Sequence, residues 1–336
     1  MKLSFSFIIP VYNRPEEIRE LLESLSKQAY TKRFEVVVVE DGSTVASDAV
    51  ISNYTNLLDI SYYQKPNSGP GDSRNYGMQL AKGNYFIVLD SDCIVPPDYL
   101  VQAEKSLMED FVHCYGGPDA AHDSFSDIQK AINYAMTSFW TTGGIRGGKK
   151  SIDKFQPRSF NMGISKEAFE TVGGYGNIHP GEDPDLTIRI WNNGYRTKLI
   201  PEAFVYHKRR IDWHKFFVQV NKFGMVRPIL NKWHPETAKA TYWFPSLFCV
   251  GFIGSTLLAI LGVFWPIALF AIYFFILFLD ALMKTKSITI AFLALFATGI
   301  QFLGYGYGFL KSTLYITYNT SKPHEIFPNL FFKTNS

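Results

Sequence analysis

The chain has 336 residues, 47% of them hydrophobic, with 33 lysines and arginines against 30 acids and a formal net charge of +3. That length exceeds one ordinary domain and suffices for a sizeable core, while so small a charge excludes neither a nucleic-acid partner nor an acidic ligand. Cys93, Cys114 and Cys249 are odd in number, far apart and outside any metal-ligand spacing, which suits a reducing compartment.

In chain order, Phe5–Ile9, Phe34–Val39, Ile60–Tyr63 and Tyr85–Leu89 read as strands. Glu16–Gln28, Ser73–Ala81 and Tyr99–Met108 have helical character. Such alternation indicates an α/β domain around a mostly parallel sheet, placed at residues 1–210. The apolar run Phe5–Val11 is too short for a signal peptide and is broken by Ser6 and Pro10, so this domain is expected in the cytoplasm. Thr141–Lys150 reads TTGGIRGGKK; it is a solvated linker or, with Arg146, a lid over donor phosphate or an anionic acceptor.

From Val205 to Trp243 eight basic residues face two acids, so residues 211–243 form a basic juxtamembrane segment. Trp213, Phe216, Phe217 and Val220 fall at helical spacing, fitting a helix laid on a membrane surface or packed on the catalytic domain. Phe244–Leu279 carries no charge, and Trp265-Pro266 divides it into spans at 244–264 and 266–283. A third span is expected at 288–310, with Lys284 and Lys286 on the cytoplasmic side, and a polar tail at 311–336.

Open α/β sheets bind ligands at the carboxyl ends of their strands. Those ends read Pro10-Val11-Tyr12-Asn13-Arg14, Glu40-Asp41-Gly42-Ser43 and Asp90-Ser91-Asp92. Carboxylates at Asp90 and Asp92 suit Mg²⁺ or Mn²⁺ bridging to a diphosphate. Glu182-Asp183, in Gly181-Glu182-Asp183-Pro184-Asp185, is either helix-end capping or a general base facing that metal. His207 ends a short β-like run, Val205-Tyr206-His207, as a candidate third ligand.

Seven segments in order resemble the family 2 glycosyltransferases of GT-A fold: FIIPVYNRPEEIRELLESL, FEVVVVEDGST, GPGDSRNYGMQLAKG, YFIVLDSD, NMGISKEAFETVGGY, GEDPDLTIRIWNNGY and VYHKRR. The resemblance runs from Phe5 to Arg210. It implies that Pro10, Tyr12 and Arg14 line the nucleoside pocket, and that Asp41, with Glu40, holds the base or ribose. Arg74 would approach the base or diphosphate, Asp90 and Ser91 the ribose side, and Asp92 and His207 the metal. Asp183 would be the catalytic base with Glu182 near the acceptor, and Gly173, Gly174 and Tyr175 would shape the acceptor wall. Family members often carry an acid after that Gly-Gly-aromatic element, whereas Gly176-Asn177 follow here. The implied activity is inverting, metal-dependent transfer from a nucleotide-sugar, as in UDP-sugars, to an acceptor hydroxyl in cell-surface glycan or glycolipid synthesis. Implied partners are that donor, a glycan or lipid-linked acceptor and membrane lipid, with no nucleic acid, at the inner membrane. With so few spans a single-sugar transferase is favoured over a polymer exporter. Polyprenyl phosphate is an alternative acceptor. A sugar nucleotidyltransferase would need a glycine-rich basic loop after the first strand, which Pro10-Val11-Tyr12-Asn13 does not supply. A non-catalytic binder would not need Asp183.

Overall fold

A computed structural model describes residues 2–120, 125–143, 155–207 and 212–332. Arg146 and the glycine-rich stretch beyond Gly143 lie outside the described residues, as do 208–211. In chain order the elements start with β1 (Phe5–Val11), α1 (Pro15–Ser26), β2 (Glu35–Asp41), α2 (Asp48–Ser52), β3 (Asp59–Lys65), α3 (Pro70–Leu80), β4 (Tyr85–Leu89), β5 (Cys93–Ile94) and α4 (Tyr99–Glu109). There follow β6 (Cys114–Gly116), β7 (Asp119–Ala120), α5 (Asp127–Thr137), α6 (Phe139–Thr142), β8 (Asn161–Ser165), α7 (Lys166–Val172), α8 (Glu182–Asn192), β9 (Thr197–Leu199) and β10 (Val205–His207). Long helices complete the chain: α9 (Trp213–Trp233), α10 (Phe244–Ile260), α11 (Trp265–Thr285) and α12 (Ile288–Tyr318), then the single turn α13 (Pro323–Ile326). Residues 1–122, 149–208 and 331–336 form one compact unit, and 123–148 with 209–330 form the other.

In the first unit a seven-stranded sheet runs β3-β2-β1-β4-β8-β6-β9, and β5-β10-β7 form a small second sheet. Strands β3, β2, β1 and β4 are mutually parallel; β8 runs antiparallel to both its neighbours. The all-buried runs Val36–Val39 and Tyr85–Leu89 suit strands covered on both faces. Their alternate residues serve different cores. Phe7, Ile9, Val36, Val38 and Ile87 meet Ile18, Leu21 and Leu25 of α1, whereas Ile8, Val37, Val39 and Val88 meet Met78 of α3 and Leu186 of α8. Beyond Ile8 the β1–β4 pairing ends, so Pro10 lies where β1 has β2 as its strand neighbour and a missing N–H is tolerated. Val11 pairs with Glu40, which brings the motif after β1 level with the Glu40-Asp41 end of β2.

The second unit is helical, and α10, α11 and α12 are each long and apolar enough to cross a membrane. Two expectations are corrected here. The third apolar helix does not stop near residue 310 but runs to Tyr318, because the one charge at Lys311 is followed by Ser312, fully buried, and by Thr313, whose hydroxyl donates to Phe309 O within the helix. The Phe216/Val220 face of α9, expected to lie on a surface, is buried within the helical unit. It packs on α12 and α5, with Ala297, Ile132 and Ala135. Glycines permit that contact. A Cβ at Gly224 would fall 2.2 Å from Tyr305 O, and one at Gly308 would fall 2.3 Å from Asn221 O.

Candidate active site

Each motif after a strand is pinned by its neighbours. Asn13, in the left-handed region at φ 53°, accepts from the backbone N–H groups of Thr44 and Val45 at 2.8 and 3.0 Å, tying the β1 loop to the β2 loop. Tyr12 is left half exposed at this edge. Glu40 is buried, accepting from Ser47 N (2.9 Å), the Tyr62 hydroxyl (3.0 Å) and Ser43 Oγ. Asp41, also buried, accepts from the N–H groups of Ser68 and Gly69, both at 2.9 Å, and from Lys65 Nζ at 2.8 Å. The two acids thus shape the loops at 43–47 and 65–69, the latter leading into α3.

Arg74 joins the two acidic motifs. Almost wholly buried on α3, it donates from Nη2 to Asp90 Oδ1 at 2.8 Å and from Nη1 to Glu182 Oε1 at 3.1 Å. Burial disfavours its charge, but Asp90 and Glu182 overcome this and hold it cationic. Arg74 thus reaches Glu182, 108 residues away in the chain, while holding Asp90 as well.

On the Asp90 side, Arg14 donates to Asp92 Oδ2 at 2.7 Å, and His207 Nε2 stands 3.3 Å from Asp92 Oδ1 and 3.9 Å from Asp90 Oδ2. Antiparallel pairing of His207 with Cys93 places the imidazole there. Phe160 stacks on the imidazole at 4.9 Å, and Asp119 lies 4.0 Å from its Nδ1, where a carboxylate can orient a ligating histidine. Burial opposes ionisation of Asp92, yet His207 and Arg14 keep its carboxyl below the usual range. Ser91 is buried between the two acids.

Whether these residues fit a divalent cation can be judged from their donors. Asp92 Oδ1 is buried without a hydrogen-bond partner, and Asp92, Cys93 and His207 offer ligand atoms within 4.8 Å of one another. A carboxylate and an imidazole suit Mn²⁺ or Mg²⁺. Cys93 is not part of such a set: burial, with Asp92 and Asp90 nearby, pushes its thiol well up, and its Sγ donates to Phe160 O at 3.4 Å. The fit is good with Asp92 and His207 as ligands.

On the other side, α8 opens with Glu182 and Asp183, where the helix N-terminus favours anions. His179 Nδ1 lies 2.8 Å from Glu182 Oε1. Burial raises Glu182, but His179 and Arg74 bring it down to about 2. Asp183 moves oppositely. Burial first, then the Glu182 charge, pushes it up to about 6, against the pull of Arg74 and Arg158. Its Oδ1 is buried with no hydrogen-bond partner, a poised acceptor.

The Gly173-Gly174-Tyr175 element is a helix stop followed by a turn inward. Gly173 caps α7 in the left-handed region, and Tyr175 is tied to Asn75 by hydrogen bonds of 2.8 and 2.9 Å. The Tyr175 ring is buried, 5.3 Å from the Arg74 guanidinium carbon. Sequence reasoning missed His179, Arg158, Phe160, Asp119 and Lys65. Of these only Lys65, the last residue of β3, ends a parallel strand; that position and the proximity of His179 to Glu182 are the available signals.

The profile of Glycosyl transferase family 2 matches residues 6–173, half of the chain. Over 110 residues the chain is 38% identical to the poly(ribitol-phosphate) beta-N-acetylglucosaminyltransferase TarS of Staphylococcus aureus, covering 32% of this chain and 19% of TarS. It is 25% identical over 228 residues to the probable glycosyltransferase YdaM of Bacillus subtilis, covering 65% of this chain and 54% of YdaM. The matches thus span a minor or middling share of these relatives' own lengths. Among solved structures, the mannosyltransferase PcManGT from Pyrobaculum calidifontis, in complex with GDP-Man and Mn²⁺, superposes with a TM-score of 0.55 at 17% identity over 96% of this chain and 89% of PcManGT. TarS residues 1–349 in complex with UDP-GlcNAc give 0.50 at 17% identity over 99% and 100% of the two chains. At such identities the likeness establishes the fold, GT-A, and no more. With the profile spanning half its length, the chain belongs to glycosyl transferase family 2.

Proposed function

We propose that the protein is an inverting, divalent-cation-dependent glycosyltransferase that moves one sugar from a nucleotide-sugar, a UDP-sugar first among them, to an acceptor hydroxyl. The observation that supports the reading is Arg74, which donates to Asp90 and Glu182 at 2.8 and 3.1 Å and so ties the acidic motif after β4 to the start of α8. Residues 1–210 supply this chemistry.

Asp183 is the base. Held near 6, it is ionised at neutral pH yet basic enough to accept a proton. As the acceptor oxygen bonds to the anomeric carbon, its proton passes to Asp183, the carbon–phosphate-oxygen bond breaks, and the nucleoside diphosphate leaves. One displacement inverts the centre, so an α-linked donor gives a β-linked product. Arg74 and His179 hold Glu182, which in turn keeps Asp183 up. A cation held by Asp92 and His207 would offset the charge developing on the departing diphosphate. Tyr12, exposed at the nucleotide edge, offers a face for the base, and Asp41 supports it by fixing the loop at Ser68 and Gly69.

The apolar helices fit anchorage in the inner membrane with the catalytic unit cytoplasmic, and an acceptor that is a glycan or a lipid-linked molecule such as polyprenyl phosphate. The test is a panel of nucleotide sugars supplied to the purified full chain with Mn²⁺ or with chelator. Release of nucleoside diphosphate from one donor, only with metal, supports the proposal. Release of pyrophosphate from a sugar phosphate and nucleoside triphosphate would replace it with a nucleotidyltransferase.

A further inference from the structure

Among the described residues three helices are apolar enough to cross a bilayer, but the path of the chain is at odds with three crossings. Residues beyond α12 return to the unit that carries the active site: Phe331 pairs with Ile178 in a β-bridge, and the Phe332 N–H donates to Asn177 O at 3.0 Å. The Phe332 ring packs where a Cβ on Gly69 would stand, 2.3 Å from its Cδ2, and 5.8 Å from the His179 ring. A chain that leaves this unit after His207 and re-enters it at Phe331 crosses a membrane an even number of times.

The helical unit identifies the helix that stays behind. Along α12, Asn221 Nδ2 of α9 donates to Gly304 O at 3.0 Å, and Val220 meets Gly304. Lys215, Lys222, Arg227 and Lys232 all lie on α9. A crossing α12 would draw these cations into hydrocarbon, where each is costly. The start of α10 meets α12 at its middle: Ser246 Oγ donates to Gly306 O at 2.9 Å, and Phe248 packs on Phe302 at 4.7 Å. If both helices crossed, an end at the headgroups would meet a midpoint at the bilayer centre. At 31 residues α12 is about 46 Å long, far beyond the hydrocarbon thickness of about 30 Å. Its exposed apolar residues Phe292, Phe296, Leu303, Tyr307, Leu310 and Leu314 recur at steps of three, four and seven, one stripe along the helix. Small residues Ala291, Ala294, Ala297 and Gly304 lie buried beneath protein.

We propose that α10 and α11 alone cross the bilayer, as a hairpin, while α12 lies along the cytoplasmic interface with its Phe292–Leu314 stripe against the lipid acyl–headgroup boundary. This rests on the membrane anchorage proposed above and not on the donor chemistry. The cations of α9 then remain at headgroup level, where they favour anionic lipid.

Cysteines introduced one at a time test this in intact cells expressing the full chain, in a Cys249→Ser background that leaves only the buried Cys93 and Cys114, with a membrane-impermeant maleimide. Gly262→Cys, in the turn between α10 and α11, is expected to label from outside, whereas Lys27→Cys and Thr320→Cys label only after the membrane is opened. Labelling of Thr320→Cys from outside alongside Gly262→Cys would overturn the proposal. So would protection of all three, which would sink membrane crossing as well; nucleotide-sugar turnover, measured separately, would be untouched by either result. In vesicles, nitroxides at Phe292→Cys, Leu303→Cys and Leu314→Cys are expected to report one shallow depth, and a deep maximum at residue 303 between two shallow ends would contradict it.

Discussion

If Asp183 is the base, the acid limb of the pH–rate profile belongs to it, and its two charged neighbours should move that limb in opposite directions. The base works as the carboxylate, so the rate rises with pH through about 6. About a tenth of the plateau rate is expected at pH 5, with the plateau reached above about pH 7. Glu182 raises Asp183 and Arg74 lowers it. A charged neighbour at this range is worth about one to three units. Glu182→Gln should therefore shift the limb down by about one unit or more, and Arg74→Met should shift it up similarly. Arg74→Met also leaves Asp90 and Glu182 without their shared buried cation, a loss of about 3–5 kcal/mol in stability. Arg74→Lys keeps the charge and controls for that loss. The assay is kcat/KM for nucleoside diphosphate release from pH 4.5 to 8.5, with thermal unfolding checked at each pH. Shifts of the same sign, or a limb that moves with neither substitution, would refute the assignment.

Asp92→Asn halves the best cation donors and should weaken Mn²⁺ binding at least about tenfold, measured by titration of the Mn²⁺ resonance signal. Gly163→Ala would set a Cβ 2.0 Å from the Tyr115 ring, and should lower stability by about 1–3 kcal/mol in a denaturant or thermal unfolding experiment. Gly224→Leu should separate α9 from α12 and lower the melting temperature of the full chain in detergent, because the added side chain meets Tyr305 O.

Much of the catalytic unit was legible because its signals are local. Strands such as Val36–Val39 announce themselves as β-branched runs, and the acids Glu40 and Asp41 directly after them end the strand. The sequence ends β1 at Ile9, two residues short of Val11, since Pro10 looks like a terminator until its register with β2 is known. Long-range partners carried no such signal. Nothing near Arg74 in sequence shows that it will bridge Asp90 and Glu182, and Phe160 reaches His207 only through the turn before β8. In the helical unit, hydropathy marked three apolar helices but was blind to burial: the stripe of Ala291, Ala294 and Ala297 reads as lipid-facing until α5 and α9 are seen to cover it.

Transfer by the full chain carrying Asp183→Asn tests the central claim most directly, read alongside calorimetric binding of the nucleotide sugar that the wild type turns over. Loss of about two to four orders of magnitude in kcat, with donor affinity unchanged, is the result expected when a general base is removed. Turnover within a few-fold of the wild type would show that the acceptor proton goes elsewhere and that this carboxylate is not the base.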